Sequence, residues 1–102
     1  MAQASIYSAV RHYISAIAAA GTDEAKAVMA KMRELPVNDF YVKGGQLRED
    51  GRLVHDMYFV QVKNPSESKR SWDYYKILGV IPGDQAFRAL AEGGCPLVAT
   101  DR

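Results

Sequence analysis

Two histidines, one cysteine and a few carboxylates are the residues of this chain best suited to chemistry, and their spacing argues against most of it. His12 and His55 lie far apart, and neither has a second ligand at metal-binding spacing, so no metal site is expected. His55 and Asp56 are adjacent; on a strand they point to opposite sides and cannot form a base and its orienting partner. Cys95 sits in Gly93-Gly94-Cys95-Pro96 with no base to activate it, which favours packing or a disulfide with a partner chain over nucleophilic catalysis. Glu49 and Asp50, with Asp56 nearby, could suggest acid–base work, but they flank an Asp50-Gly51 turn and read as a solvated loop. The doublets Gly44-Gly45 and Gly93-Gly94 do not open a helix after a strand, as a phosphate-binding loop would. Lys69, Arg70 and Lys76 lie beside Trp72, Tyr74 and Tyr75, the mixture that binds single-stranded nucleic acid. Glu67 and Asp73 offset that charge, and a packed aromatic hairpin is the better reading. The expectation is a protein that is not an enzyme, with no catalytic residue, no metal ligand, no cofactor and no assignable ligand-binding residue.

The elements that would position these residues begin with an amphipathic helix from about Ala4 to Ala20. Its apolar stripe is Ile6, Ala9, Val10, Tyr13, Ile14 and Ile17, with Arg11, His12 and Ser15 off it, and Gly21 closes it. Thr22 suits the N-cap of a second helix with Asp23 and Glu24 in its first turn. That helix carries Ala25, Val28, Met29, Met32 and Leu35 on one face and stops at Pro36. Together they predict a tight αα-hairpin. Val37 to Arg52 is turn-rich, with a short strand at Phe40 and Val42 and an extended piece at Gln46 to Arg48. Leu53–Lys63, LVHDMYFVQVK, is the strongest strand signal, with large apolar groups on both of its faces. After the polar loop NPSESKRS, residues Trp72–Ile81 form a second strand of the same kind, giving a long β-hairpin over about 53–63 and 72–81. Pro82-Gly83 ends it, and DQAFRALAE predicts a short C-terminal helix begun by Asp84, then a tail from Cys95 to Arg102. The fold class is α+β with a mainly antiparallel sheet, as a single small domain over 1–102.

At 102 residues the chain can bury only a thin core. Thirteen basic and twelve acidic residues leave a net charge of +1, which provides no field to draw nucleic acid or an anionic membrane. No apolar run approaches the ~18 residues that would span a bilayer. The start, MAQASIYSAVRHY, lacks the charged and apolar regions of a secretory signal, so the sequence as it stands is expected to be neither membrane-spanning nor exported on its own.

Three stretches carry a family resemblance covering nearly the whole chain. They are the Tyr7–Gly21 helix with its AAGTD joint and the following MAKMRELPVND; G-x-x-R-x-D-G-R-x-V-H-D-M-Y from Gly45 to Tyr58; and WDYYK…IPGDQAF from Trp72 to Phe87. Together they resemble the C-terminal portion of periplasmic solute-binding proteins of ABC importers, of the branched-chain amino acid (Leu/Ile/Val-binding-like, type I periplasmic-binding) family. The resemblance implies a partial type I periplasmic-binding fold, taken from a longer protein of two α/β lobes that closes on a small solute. It implies an amino-acid-like solute and an ABC permease as partners of the full-length protein, and a periplasmic location for it. The family's solute-holding positions lie in earlier segments, so none is carried over to a residue here. On this reading the chain is a fragment of an ABC-transporter substrate-binding protein, not competent to bind solute alone. The alternative is a self-standing α+β interaction module that homo-oligomerises, for instance as a homodimer, through its two-sided apolar strands.

Overall fold

The inner face of the first helix is made of small and polar residues. Helix α1 (Ala2–Ala20) packs on α2 (Ala25–Glu34) with Ser8 and Ala16 buried, Ala16 completely. His12 lies on the same side, where its Nε2 donates to the Met32 carbonyl at 2.8 Å. Small side chains at this crossing let the helices approach closely, and Val28 of α2 fills the space. The expected apolar stripe of α1 therefore faces outward: Ile6, Val10, Tyr13 and Ile14 are all exposed. The computed structural model describes residues 2–98; the end of the expected tail, 99–102, lies outside the described residues.

Gly21 closes α1, its amide donating to the Ile17 carbonyl. The cap of α2 is one correction to the sequence reading. Glu24, not Thr22, is the N-cap, its carboxylate accepting from the amides of Lys26 and Ala27. Thr22 instead takes the Glu24 amide on its hydroxyl at 3.2 Å.

Residues 37–45 form a loop closed by reciprocal Val37–Gly45 backbone bonds of 2.8 and 3.0 Å. No strand forms at Phe40 and Val42; Val42 turns inward and Phe40 outward, against Tyr7. The buried apolar core among the described residues is small, made of Ala16, Val28, Val37, Val42 and Val98, with Val37 and Val42 both beside Gly45.

Two separate antiparallel pairs follow. Strand β1 (Gln46–Leu47) pairs with β2 (Leu53–Val54), and β3 (Met57–Val62) with β4 (Tyr75–Ile81). The expected strand Leu53–Lys63 is thus interrupted at His55-Asp56, and the second strand starts three residues later than expected, at Tyr75. A bulge between Phe59 and Val60 changes the phase of the hairpin: Phe59 opposes Gly79, Val60 opposes Ile77, and Leu78 is the extra residue. Directly opposed residues share a face, so Tyr58, Val60, Val62, Tyr75, Ile77 and Val80 come together on one side, and Met57, Phe59 and Ile81 on the other.

The loop joining β3 to β4 is held by Asp73, which accepts from Lys63 Nζ at 2.7 Å and from the Lys69 amide at 3.1 Å. Trp72 at its end has φ +70°, a left-handed conformation that is strained for a bulky residue, and its ring is 83% exposed. The expected C-terminal helix is split. Helix α3 covers only Gly83–Ala86, Phe87 is extended, and a 3₁₀ turn follows at Leu90–Gly93.

Candidate functional site

The break at His55-Asp56 is a built corner joining the helical body to the β3–β4 arm. The Asp56 carboxylate leaves the strand and accepts the Gly83 amide at 2.9 Å, tying the start of β3 to the end of β4. The His55 ring lies between Tyr41 and Phe87, with centroids 5.7 and 5.6 Å away, while its Nδ1 donates to the Asp56 carbonyl. The Arg52 guanidinium sits 4.9 Å from the centre of the Phe87 ring. Phe87 is drawn out of helical geometry by this cluster.

Gly83 is pressed against the corner. A Cβ there would stand 3.0 Å from both the carbonyl carbon and oxygen of His55 and from a Val54 methyl. Gly83→Ala is expected to push the arm off the body and cost about 1–2 kcal/mol, read as a Tm lower by roughly 5–10 °C.

A cleft of about 670 Å³ opens between α1 and the β1–β2 pair, lined by Ser8, His12, Tyr41, Asp50, Arg52 and His55 among others. It brings together the two histidines, which sequence spacing kept apart. Neither is paired with a carboxylate: each donates a ring nitrogen to a backbone carbonyl. Asp50 is engaged by Arg48, whose Nε and Nη2 reach its two oxygens at 3.1 and 2.6 Å. Arg48's hydrogen bonds, and its charge, hold the Asp50 carboxyl below its usual range. Glu49 stays on the surface, Cys95 is half-buried, and Lys69 and Arg70 sit on the exposed loop of the arm. Among the described residues no group of three His, Cys, Asp or Glu side chains could hold a metal. No helix among them is long and apolar enough to cross a membrane.

The most distinctive surface is apolar. Both faces of the β3–β4 arm and the outward stripe of α1 are uncovered, including Ile77 and Val80 on the arm and Ile14 on the helix. Such two-sided strands and an outward helix stripe are what α/β proteins bury between layers, so the architecture is that of a segment within a layered α/β assembly.

Comparison with known proteins gives that assembly its family. Residues 1–69 match the family model described as periplasmic binding protein. A crystal structure of a periplasmic binding protein from Burkholderia mallei is 48% identical and superposes with a TM-score of 0.83. A branched chain amino acid ABC transporter periplasmic ligand-binding protein from Burkholderia xenovorans LB400 is 38% identical, also with a TM-score of 0.83. Both matches cover 89% of this chain and 24% of the other. No curated protein matches. The chain belongs to the periplasmic binding protein family, and it spans about a quarter of the length of these solved relatives.

Proposed function

We infer that this chain supplies the C-terminal helical hairpin and the hinge-side β arm of a solute-binding protein that captures branched-chain amino acids or similar small solutes in the periplasm and passes them to an ABC permease. The reading treats residues 1–102 as one structural unit of a two-lobed protein. Its role is to bind and deliver, with no chemistry on the solute. The observation that carries it is the 38% identity, at a TM-score of 0.83, to a ligand-binding protein of branched-chain amino acid transport. Consistent with this, the carboxylates and histidines of the corner and cleft are committed to structural hydrogen bonds.

A solute cleft between two lobes needs both lobes, so the chain alone is not competent to hold the solute. Titration calorimetry of the chain with leucine, isoleucine and valine is expected to give no saturable heat. Micromolar binding of any of them would overturn that expectation. The competing reading is a self-standing module that pairs with a second copy through the uncovered strands. A symmetric dimer in sedimentation equilibrium that persists at low micromolar concentration would favour it.

A further inference from the structure

Lys69 and Arg70 are adjacent in the loop that joins β3 to β4, outside any helix or strand, and both are exposed. The stretch NPSESKRS that holds them contains no apolar side chain except Pro65, so its exposure follows from its own composition. Among the described residues neither cationic side chain is hydrogen-bonded or salt-bridged. An endoprotease specific for Lys and Arg needs such a cation for its anionic pocket and needs the flanking backbone to open. This loop offers both.

The other basic residues are poorly placed for the same chemistry. Arg11 lies in α1, Lys26, Lys31 and Arg33 in α2, and Lys76 in β4, where the backbone is committed to hydrogen bonds. After Lys43, the Gly44 amide donates to Asn38 Oδ1 at 2.7 Å. The carbonyls of Arg48, Arg52 and Arg88, which a protease would attack, accept from the Gly51 amide, the Arg48 amide and Arg48 Nη1 at 3.0, 2.9 and 2.8 Å. Lys63 Nζ is taken by Asp73. Arg102 lies outside the described residues.

The Arg70 carbonyl, by contrast, accepts only long bonds, from the Asp73 amide at 3.3 Å and the Ser68 hydroxyl at 3.4 Å. What keeps residues 68–73 in place is Asp73, whose carboxylate takes Lys63 Nζ at 2.7 Å and the Lys69 amide at 3.1 Å. Trp72, two residues past Arg70, is held at φ +70°, and opening the loop releases that strain. The flanking strands do not depend on the loop for their pairing: the β3–β4 ladder and the Asp56–Gly83 bond lie beyond it.

We propose that the Arg70–Ser71 peptide is a processing site for a trypsin-like endoprotease, and that the cut chain persists as two pieces, 1–70 and 71–102, joined by the β3–β4 pairing. One water is consumed. The bond from the Arg70 carbonyl carbon to the Ser71 nitrogen breaks, leaving a carboxylate on Arg70 and an ammonium group on Ser71. Asp73 sets the rate, because it sets how often residues 68–73 open to the enzyme.

The test treats the full 102-residue chain with trypsin at a low ratio and follows the products by mass spectrometry. The first products should be 1–70 and 71–102, with trimming at Lys69, formed about tenfold or more faster than any other cut. The nicked chain should elute from a size-exclusion column as one particle and separate only in denaturant. Lys69→Gln combined with Arg70→Gln changes two exposed, unbonded side chains; it should abolish the early cut and leave the far-UV circular dichroism unchanged. Asp73→Asn keeps the shape but weakens the clamp, and should speed the same cut about threefold or more without changing the order of later ones. A first cut elsewhere, or simultaneous cleavage at all basic residues, overturns the site. An Asp73→Asn chain cut at the parent's rate overturns the role of the clamp, and pieces that part in plain buffer overturn the two-piece product.

Discussion

Asp39→Ala is expected to lower the Tm of the chain by roughly 10–20 °C, which corresponds to about 2–3 kcal/mol in a domain of this size. Asp39 is the node that ties α1 to the 37–45 loop. Its Oδ2 accepts the Ser8 hydroxyl at 2.6 Å, and its Oδ1 accepts the amides of Tyr41 and Val42 at 2.8 and 2.9 Å. Ser8 and Val42 are buried, so removing the carboxylate strands donors that water cannot reach. Asp39→Asn keeps the shape and one acceptor oxygen, and it should cost clearly less. Circular dichroism melts of the three proteins check the ranking; equal melting points for Ala and wild type would remove Asp39 from this role.

The same carboxylate gives the chain a defined response to acid. Burial pushes the Asp39 carboxyl up, but the Ser8 hydroxyl, the Val42 and Tyr41 amides and the charge of Arg11 outweigh it and hold it below the ordinary value of 3.8. A group whose folded pKa is depressed contributes stability that is present above its unfolded pKa and lost as pH falls through the folded one. Asp50 beside Arg48, and Asp73 beside Lys63, are shifted in the same direction. Urea midpoints should therefore stay level from neutral pH to about 5 and fall below about 4, less steeply in Asp39→Asn.

Gly45→Val is expected to be as damaging, at about 3 kcal/mol or more. Gly45 is buried at the closure of the 37–45 loop, bonded through both its backbone groups to Val37. A Cβ at this position would stand 2.5 Å from a Val42 methyl, 3.2 Å from a Leu53 methyl and 3.3 Å from the Val37 Cβ. Val42 and Val37 belong to the small core and have little room to yield. The substitution should open the Val37–Gly45 bridge, and hydrogen exchange at those two amides reads it directly. Unchanged protection there would show that the loop can absorb the added carbons.

The helical hairpin was legible in the sequence because its signals are local. Apolar spacing, Gly21 and Pro36 mark its two helices within a residue or two. What could not be read was which side of α1 faces in. The stripe of large apolar residues suggested a core face, yet the inward side is Ser8, His12 and Ala16. Periodicity identifies an apolar face without saying what covers it. The strand from Leu53 to Lys63 had unbroken β character, and its interruption is tertiary: Asp56 takes the Gly83 amide 27 residues away, and His55 packs against Phe87. The same cluster overrode the helical pattern of DQAFRALAE by drawing Phe87 into extended backbone. Nor does the bulge opposite Phe59 have a local sequence mark; strict alternation along 75–81 puts Val80 on the side opposite Tyr75 and Ile77, whereas the bulge brings it to theirs. Of the candidate chemical residues, His55 meets the backbone carbonyl of Asp56 and not its carboxylate, while the cleft shared by His12 and His55 emerges only from the crossing of distant segments.

The left-handed Trp72 at the end of the arm's loop has an optical consequence. It is the chain's only tryptophan, so all indole emission originates from one solvated residue, its ring centre 6.0 Å from that of Tyr74. Steady-state fluorescence of this protein therefore reports on the surroundings of that one loop and is nearly blind to whether the helical body is folded. A conventional tryptophan-monitored melt would follow the wrong part of the molecule.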